Sequence, residues 1–422
     1  MKEETVHPYL AFLSREMLPA FGCTEPIALA YAACEARAVL DAEPVRLLVR
    51  CSGNLIKNAK SVFVPNANGR RGIAISAALG AMCSEPERKL QVLEEITPQQ
   101  RKRAELLVDE GSCCVQHDAG REGLYIDLTL WDTEEHWGRV ILSGEHTNIV
   151  WKERDGKVLY QKTTQKGAST YPSFSFADIY AFAKEADYSP IRPLFDQEIK
   201  YNLAIGTEGL THDWGCGIGK AILREGTAMA VEIAYAVAGS DARMSGCKLP
   251  VVINSGSGNQ GMTVSLPIIR HAEHVHADED KRYRSLLFAN LLAAYQKAYI
   301  GRLSAYCGAV SAAAASVAGI AFMDDAPQEV IAETIINSLA TSAGVVCDGA
   351  KPSCAAKIAL ALRTSYIAYE QAKEGRSFSV GDGLVASDVD ATIRSIGRVA
   401  REGMAETDRI ILQEMMETGK NA

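Results

Sequence analysis

Apolar residues recur at helical spacing over residues 7–40, broken only at Phe21-Gly22-Cys23-Thr24-Glu25-Pro26, which predicts helix, turn and helix. In this reading Thr24 caps the second helix and Pro26 fits its first turn, where a missing N–H costs nothing. Cys23 then stands just before a helix N-terminus. Beyond residue 44 the pattern changes: 45–51 reads as a strand, 52–58 as a loop or turn, 61–65 as another strand and 72–82 as an apolar helix. A charged helix near 98–110 precedes alternating runs at 112–117, 124–131, 137–143 and 147–151, with a hairpin signal at Asp155-Gly156. From about residue 175 onward nearly everything predicts helix, joined by Gly-rich linkers at 214–220, 254–261, 347–354 and 381–383. The whole pattern predicts an α+β fold. A large, mostly helical domain made of residues 1–44 and 166–422 is interrupted by an inserted α/β domain, residues 45–165, with a mainly antiparallel sheet.

The chain has 422 residues, enough for two or three folding units and a full core without covalent staples. Its net charge of −8 is dispersed, which argues against a nucleic-acid or anionic-membrane partner, since either needs a clustered basic face. The charge-free run 303–323 has the length of a membrane span, but it is mostly Ala, Ser and Gly and better suits a helix packed inside a protein. There are 11 cysteines, an odd number, and the opening MKEETVHPYL lacks the apolar core of a signal peptide. A cytoplasmic location is expected, with thiols that are free, metal-ligating or catalytic.

Three of those thiols share a setting. Cys307 precedes an Ala-rich helix, Cys347 ends an apolar helix, and Cys354 falls in the first turn of a helix opened by Pro352. Helix N-termini favour thiolate over thiol, and thiolates suit a soft metal centre. Three soft ligands without an evident fourth suit a [4Fe–4S] cluster with one open iron. Zinc usually takes Cys-x2–4-Cys pairs, which are absent, and the adjacent Cys113 and Cys114 have poor geometry for joint ligation. Spacing by itself leaves ordinary core thiols as the alternative.

Other candidates carry less. Cys216, near His212 and Asp213, reads either as a ligand or base or, preferably, as part of a helix start capped by Asp213. His271, His274 and His276 precede an acidic run that suggests a solvated loop. Gly256-x-Gly258-x-x-Gly261 matches a dinucleotide fingerprint in letters but lacks its βαβ setting. Cys34, Cys51, Cys83, Cys113, Cys114 and Cys247 read as core or incidental thiols.

Taken together, Ala20-Phe21-Gly22-Cys23-Thr24-Glu25-Pro26, Ser52-Gly53-Asn54-Leu55-Ile56-Lys57-Asn58, Cys307-Gly308-Ala309-Val310, Cys347-Asp348-Gly349-Ala350-Lys351-x-x-Cys354 and Gly381-Asp382-Gly383 resemble the L-cysteine desulfidase family, which is related to the α-chain of iron–sulfur L-serine dehydratases. The resemblance covers nearly the whole chain, including the ligand spacing of 40 and then 7 residues. It implies a [4Fe–4S] cluster held by Cys307, Cys347 and Cys354, a separate catalytic Cys23, and elimination of hydrogen sulfide from L-cysteine without pyridoxal phosphate. The serine dehydratases differ in wider spacing of the last two ligands and in a cysteine at the chain end, where this chain reads METGKNA.

Such an elimination needs partners for an amino acid's carboxylate and ammonium. Ser52, Asn54, Lys57 and Asn58 form one candidate cradle; Ser257, Gly258, Asn259 and Gln260 form a second, and Lys351 can offset charge at the cluster or the substrate. Two alternatives stay open: elimination from serine or another β-substituted amino acid, and a non-catalytic iron–sulfur or thiol redox sensor. Cys23 speaks against the sensor, which needs no separate base. The expected partner is a small amino acid, and a homo-oligomer is compatible with the sequence.

Overall fold

The computed structural model describes residues 7–162, 173 and 175–418. The expected domain boundary near 165/166, the opening residues 1–6 and the closing residues 419–422 lie outside the described residues. The fold is α+β with a helical majority, as the pattern predicts.

Helix Thr24–Leu40 is buried on nearly every side because its sequence is apolar and small almost throughout. Two glycines on neighbouring elements let backbones approach it. A Cβ on Gly80 would lie 2.1 Å from the Ala30 carbonyl oxygen, and one on Gly138 would lie 2.7 Å from the Ala36 oxygen. Helix Ile73–Ala81 therefore packs on one side of it and the large sheet on another.

That sheet contains β2 (Arg46–Cys51), β3 (Cys113–His117), β4 (Tyr125–Trp131), β5 (Trp137–Ser143), β6 (Ile149–Arg154) and β7 (Lys157–Gln161), in the order β3-β2-β4-β5-β6-β7. Only β2 and β3 run parallel; every other pair is antiparallel. Strict alternation of buried and partly exposed residues along β5 points one face at helix Thr24–Leu40. A second, two-stranded sheet pairs β1 (Pro19–Phe21) with β8 (Pro250–Val252), so the segment before Cys23 is tied to the segment before Ser257.

The helical body centres on Gly308–Met323, buried along almost its entire length between helices Gly258–His274, Glu279–Ile300, Gln328–Ser342 and Cys354–Lys373. Its Ala, Ser and Gly content keeps it thin enough for close neighbours on all sides. The run 303–323 is thus interior, and among the described residues no helix is long and apolar enough to cross a membrane.

Several local expectations need correction. Residues 52–58 are not a loop: Gly53–Ala59 is a helix, with Ser52 at its N-cap accepting from the Leu55 N–H. Residues 61–65 form no strand, only a bridge between Phe63 and Arg71, because the Asn- and Gly-containing segment after them turns back at once. The N-cap of helix Thr24–Leu40 is Cys23 and not Thr24, whose hydroxyl goes to Glu25. Cys347 lies in the loop beyond helix Gln328–Ser342, held there by its own N–H to the Ala305 carbonyl at 2.6 Å.

Candidate functional site

Three helix starts and one loop converge on a single cavity. Cys23 is the N-cap of Thr24–Leu40, Cys307 the N-cap of Gly308–Met323, and Cys354 the first residue of Cys354–Lys373. Cys347 reaches the same cavity from its loop. The loop can close because Gly349 adopts φ +93° and lies so near the Lys57 carbonyl that a Cβ would sit 2.2 Å from that oxygen. Residues more than 300 positions apart thereby face one space, and Cys23 packs with Val62, Met244, Ala350 and Cys354.

Cys307, Cys347 and Cys354 lie near enough to feel one another's charge. Burial first, and then the neighbouring Cys347 and Cys354, push the Cys307 thiol up to about 12; the Cys354 thiol is raised by burial and then by Cys347. The donor set fits an iron–sulfur cluster: three soft sulfurs, two at helix N-termini, line one cavity, and the carboxylate that lines it, Glu25, is bound to Cys23. Among the described residues no three His, Cys, Asp or Glu groups converge on a single metal ion. Cysteines that each bind a different iron need no such convergence.

Cys23 is not the partly ionised thiol that a helix N-terminus favours. Burial, and then the Glu25 carboxylate, push it far above the usual thiol range, and the Arg243 guanidinium offsets only part of this. Its S–H donates to Glu25 Oε2 at 3.4 Å. Glu25 Oε1 in turn lies 3.7 Å from Nε2 of His146, an ion-pair distance and not a hydrogen bond. Burial raises the Glu25 pKa, but His146 and the Thr24 hydroxyl outweigh it and hold the carboxyl below the ordinary value. A thiol, a carboxylate and an imidazole therefore stand in series, the last contributed by the turn between β5 and β6.

The two expected substrate cradles fare differently. Ser257, N-cap of Gly258–His274, lines the cavity, as does Asn259. Of the first set only Asn58 does so. Ser52, Asn54 and Lys57 do not line it, because their polar atoms are committed elsewhere. The Ser52 hydroxyl donates to the Gly123 carbonyl at 2.6 Å; Asn54 accepts from the Gly123 N–H and donates to Asp408; buried Lys57 donates to Asp408 and to the Ser304 and Cys347 carbonyls. Lys57 thus supports the loop that carries Cys347. Lys351 is likewise tied to Asp348.

Three residues that line the cavity went unsuspected in the sequence. Arg243 and Lys297 are lone cations on otherwise apolar helix faces, and Glu25 reads as a first-turn acid. Buried Lys297 is pushed down to about 8 by desolvation, although Cys347 and Cys307 pull it upward. A single basic residue in a stretch of helix otherwise free of cations was the available signal.

The remaining motifs are structural. Gly261 lets helix Gly258–His274 approach the Val252 carbonyl, where a Cβ would lie 2.1 Å away, and β8 is antiparallel, so the dinucleotide pattern has no βαβ setting. Cys216 is exposed; its N–H and that of Gly219 point to Asp241, which replaces Asp213 as the cap of that turn, while Asp213 pairs with Lys220. His274 and His276 are exposed. His271 spends both ring nitrogens on Glu232 and Asp324, at 2.8 and 2.9 Å, and Tyr366 and Tyr369 donate to the same carboxylates.

Desolvation lowers the His271 pKa, but Asp324 and Glu232 overcome it and raise it to about 9. A raised folded pKa contributes stability that is complete below the unfolded value near 6.5 and is lost as pH climbs through about 9. The wild-type chain is therefore expected to lose stability between pH 7 and 9.5, by up to about 3 kcal/mol from this group. His271→Gln should flatten that dependence. Urea midpoints at the two pH values test it, and equal slopes for both proteins would contradict it.

The model of the family described as serine dehydratase alpha chain matches residues 87–413. A Finegoldia magna protein described as a UPF0597 protein is 43% identical over 413 residues, covering 97% of this chain and 99% of its own length. Another of the same description, from Lachnoclostridium phytofermentans, is 42% identical over 409 residues, covering 96% and 98%. A third, from Bacteroides fragilis, is 34% identical over 430 residues, covering 99% and 100%.

Proposed function

For a chain that belongs to the serine dehydratase alpha chain family, we propose iron–sulfur-dependent α,β-elimination of L-cysteine to pyruvate, ammonia and hydrogen sulfide. The observation that carries this reading is the meeting of Cys23, Cys307, Cys347 and Cys354 on one cavity. Cys307, Cys347 and Cys354 would hold a [4Fe–4S] cluster. When bound, that group supplies an electron-pair acceptor for the departing sulfur.

The chain's own residues account for the proton. Removal of the Cα proton needs a base within reach, and Cys23 faces the cavity with its S–H directed at Glu25. Burial opposes ionisation of Cys23. By the same token its thiolate is a strong base; the S–H points at Glu25, and passing the proton there is uphill, which keeps the thiol protonated at rest. His146, beside the far oxygen of Glu25, stabilises that carboxylate in the resting state. Departure of sulfide from Cβ with its bonding electrons leaves aminoacrylate, which tautomerises to the imine and hydrolyses to pyruvate and ammonia. Asn58, Ser257 and Asn259 supply amide and hydroxyl groups that orient the substrate's polar atoms, and the buried walls exclude bulk water.

The preference for sulfur over oxygen as leaving group rests on the ligand spacing of 40 and 7 residues, which matches the desulfidases and not the serine dehydratases. Initial rates on the anaerobically reconstituted protein should give a higher kcat/KM for L-cysteine than for L-serine. The reverse order would assign the chain to serine.

A further inference from the structure

Cations around the cavity are nearly all neutralised. Arg302 pairs with Glu16 and Glu145, Lys351 and Lys357 pair with Asp348, and Lys57, behind the Cys347 loop, pairs with Asp408. Lys297 has no ion pair among the described residues, but its charge stands beside Cys307 and Cys347, where thiolates or sulfide would answer it. Arg243 stands beside Cys23, but burial and Glu25 keep that thiol protonated, so at rest Arg243 has no such answer. It is 2% exposed and lines the cavity at the Cys23 side. Its Nε donates to the Gly22 carbonyl at 3.2 Å and its Nη1 to Asn259 Oδ1 at 3.1 Å, both neutral acceptors. Its Nη2 is buried and has no acceptor among the described residues, and Arg243 forms no ion pair there. A guanidinium out of water without an anion is costly, and its planar fork matches a carboxylate.

The surroundings suit the same ligand. The guanidinium lies against the N-terminus of helix Gly258–His274, so close that a Cβ on Gly258 would be 2.6 Å from Nε, and the first-turn N–H groups of that 17-residue helix favour negative charge at the same place. The bond to Gly22 places Arg243 one residue from Cys23, and so beside the proposed base.

We propose that Arg243, with the N-terminus of helix Gly258–His274, binds the α-carboxylate of the amino-acid substrate. This rests on the reading that the cavity takes an amino acid. It sets the orientation: carboxylate at Arg243, Cα–H at Cys23, and the β-substituent toward Cys307 and Cys347.

The test compares two thiols on the reconstituted protein by calorimetry, 3-mercaptopropionate, which has the carboxylate, and 2-aminoethanethiol, which lacks it. Arg243→Gln should weaken 3-mercaptopropionate about 10- to 100-fold and leave 2-aminoethanethiol within about twofold. Arg243→Lys, which keeps the charge and loses the fork, should fall between, and should raise KM for cysteine more than it lowers kcat. Equal weakening of both thiols would reduce Arg243 to a support for Cys23, and unchanged binding of both would also overturn the assignment, as would failure of the wild type to bind 3-mercaptopropionate. If the wild type discriminates between the thiols as expected yet eliminates nothing from cysteine or serine, the carboxylate site stands and the proposed reaction fails.

Discussion

Cys23→Ala is expected to lower elimination of sulfide from L-cysteine by about 10²- to 10⁴-fold while leaving bound iron per chain unchanged, the range that loss of a general base produces. The substitution isolates chemistry from folding for a structural reason. Cys23 is an N-cap whose side chain makes no capping hydrogen bond, so alanine removes no cap. What is lost is one sulfur from a small apolar cluster with Val62 and Met244, and one S–H donated to Glu25. Pyruvate formation and colorimetric iron on the same preparation decide it. Loss of iron together with activity would make Cys23 a ligand and remove the separate base from the mechanism.

Cys307→Ser should give the converse: iron and visible absorption lost, activity gone, and the fold intact. Serine is a poor ligand for iron but a preferred N-cap, and Cys307 occupies an N-cap without a capping bond. The iron-free variant should therefore unfold at the same denaturant concentration as iron-free wild type or a higher one, by up to about 1 kcal/mol. Cys354→Ser, at the first helical position, should also lose iron without unfolding the apo chain. Retention of full iron by either variant would exclude that residue from the ligand set. An apo fold much weaker than that of the wild type would instead point to packing as the main task of these thiols.

Much of this was legible along the chain, and what was not has physical causes. The alternation in 124–131 and 137–143 marks strands because one face is buried and the other is not, and β4 and β5 lie there. Segment 52–58 misleads because a seven-residue helix is too short to show a period, and its Ser-Gly-Asn start looks like a turn. The strands β1 and β8, three residues each, pair only with one another across the fold, a contact that no local pattern announces. The placement of cysteines at helix ends could be read from Gly308 and from the residues after Cys23. Their meeting on one cavity depends on Gly349 closing over the Lys57 carbonyl, a tertiary contact. The substrate side was hardest to see. Lys57 has the composition of a cradle but is bound to Asp408, which lies 351 residues away. Arg243 is the basic residue in the last turn of its helix, a common place for a cation, and only its tertiary neighbours Gly22 and Asn259, both neutral, set it apart.

The most direct test is one anaerobic titration of the reconstituted wild-type protein with L-cysteine, following iron-based visible absorption and sulfide release together. The account predicts about four irons per chain with broad absorption before addition, then sulfide and pyruvate in equal amounts after it. Absence of a cluster spectrum with no sulfide released, or sulfide released at an undiminished rate by protein stripped of iron, would contradict it.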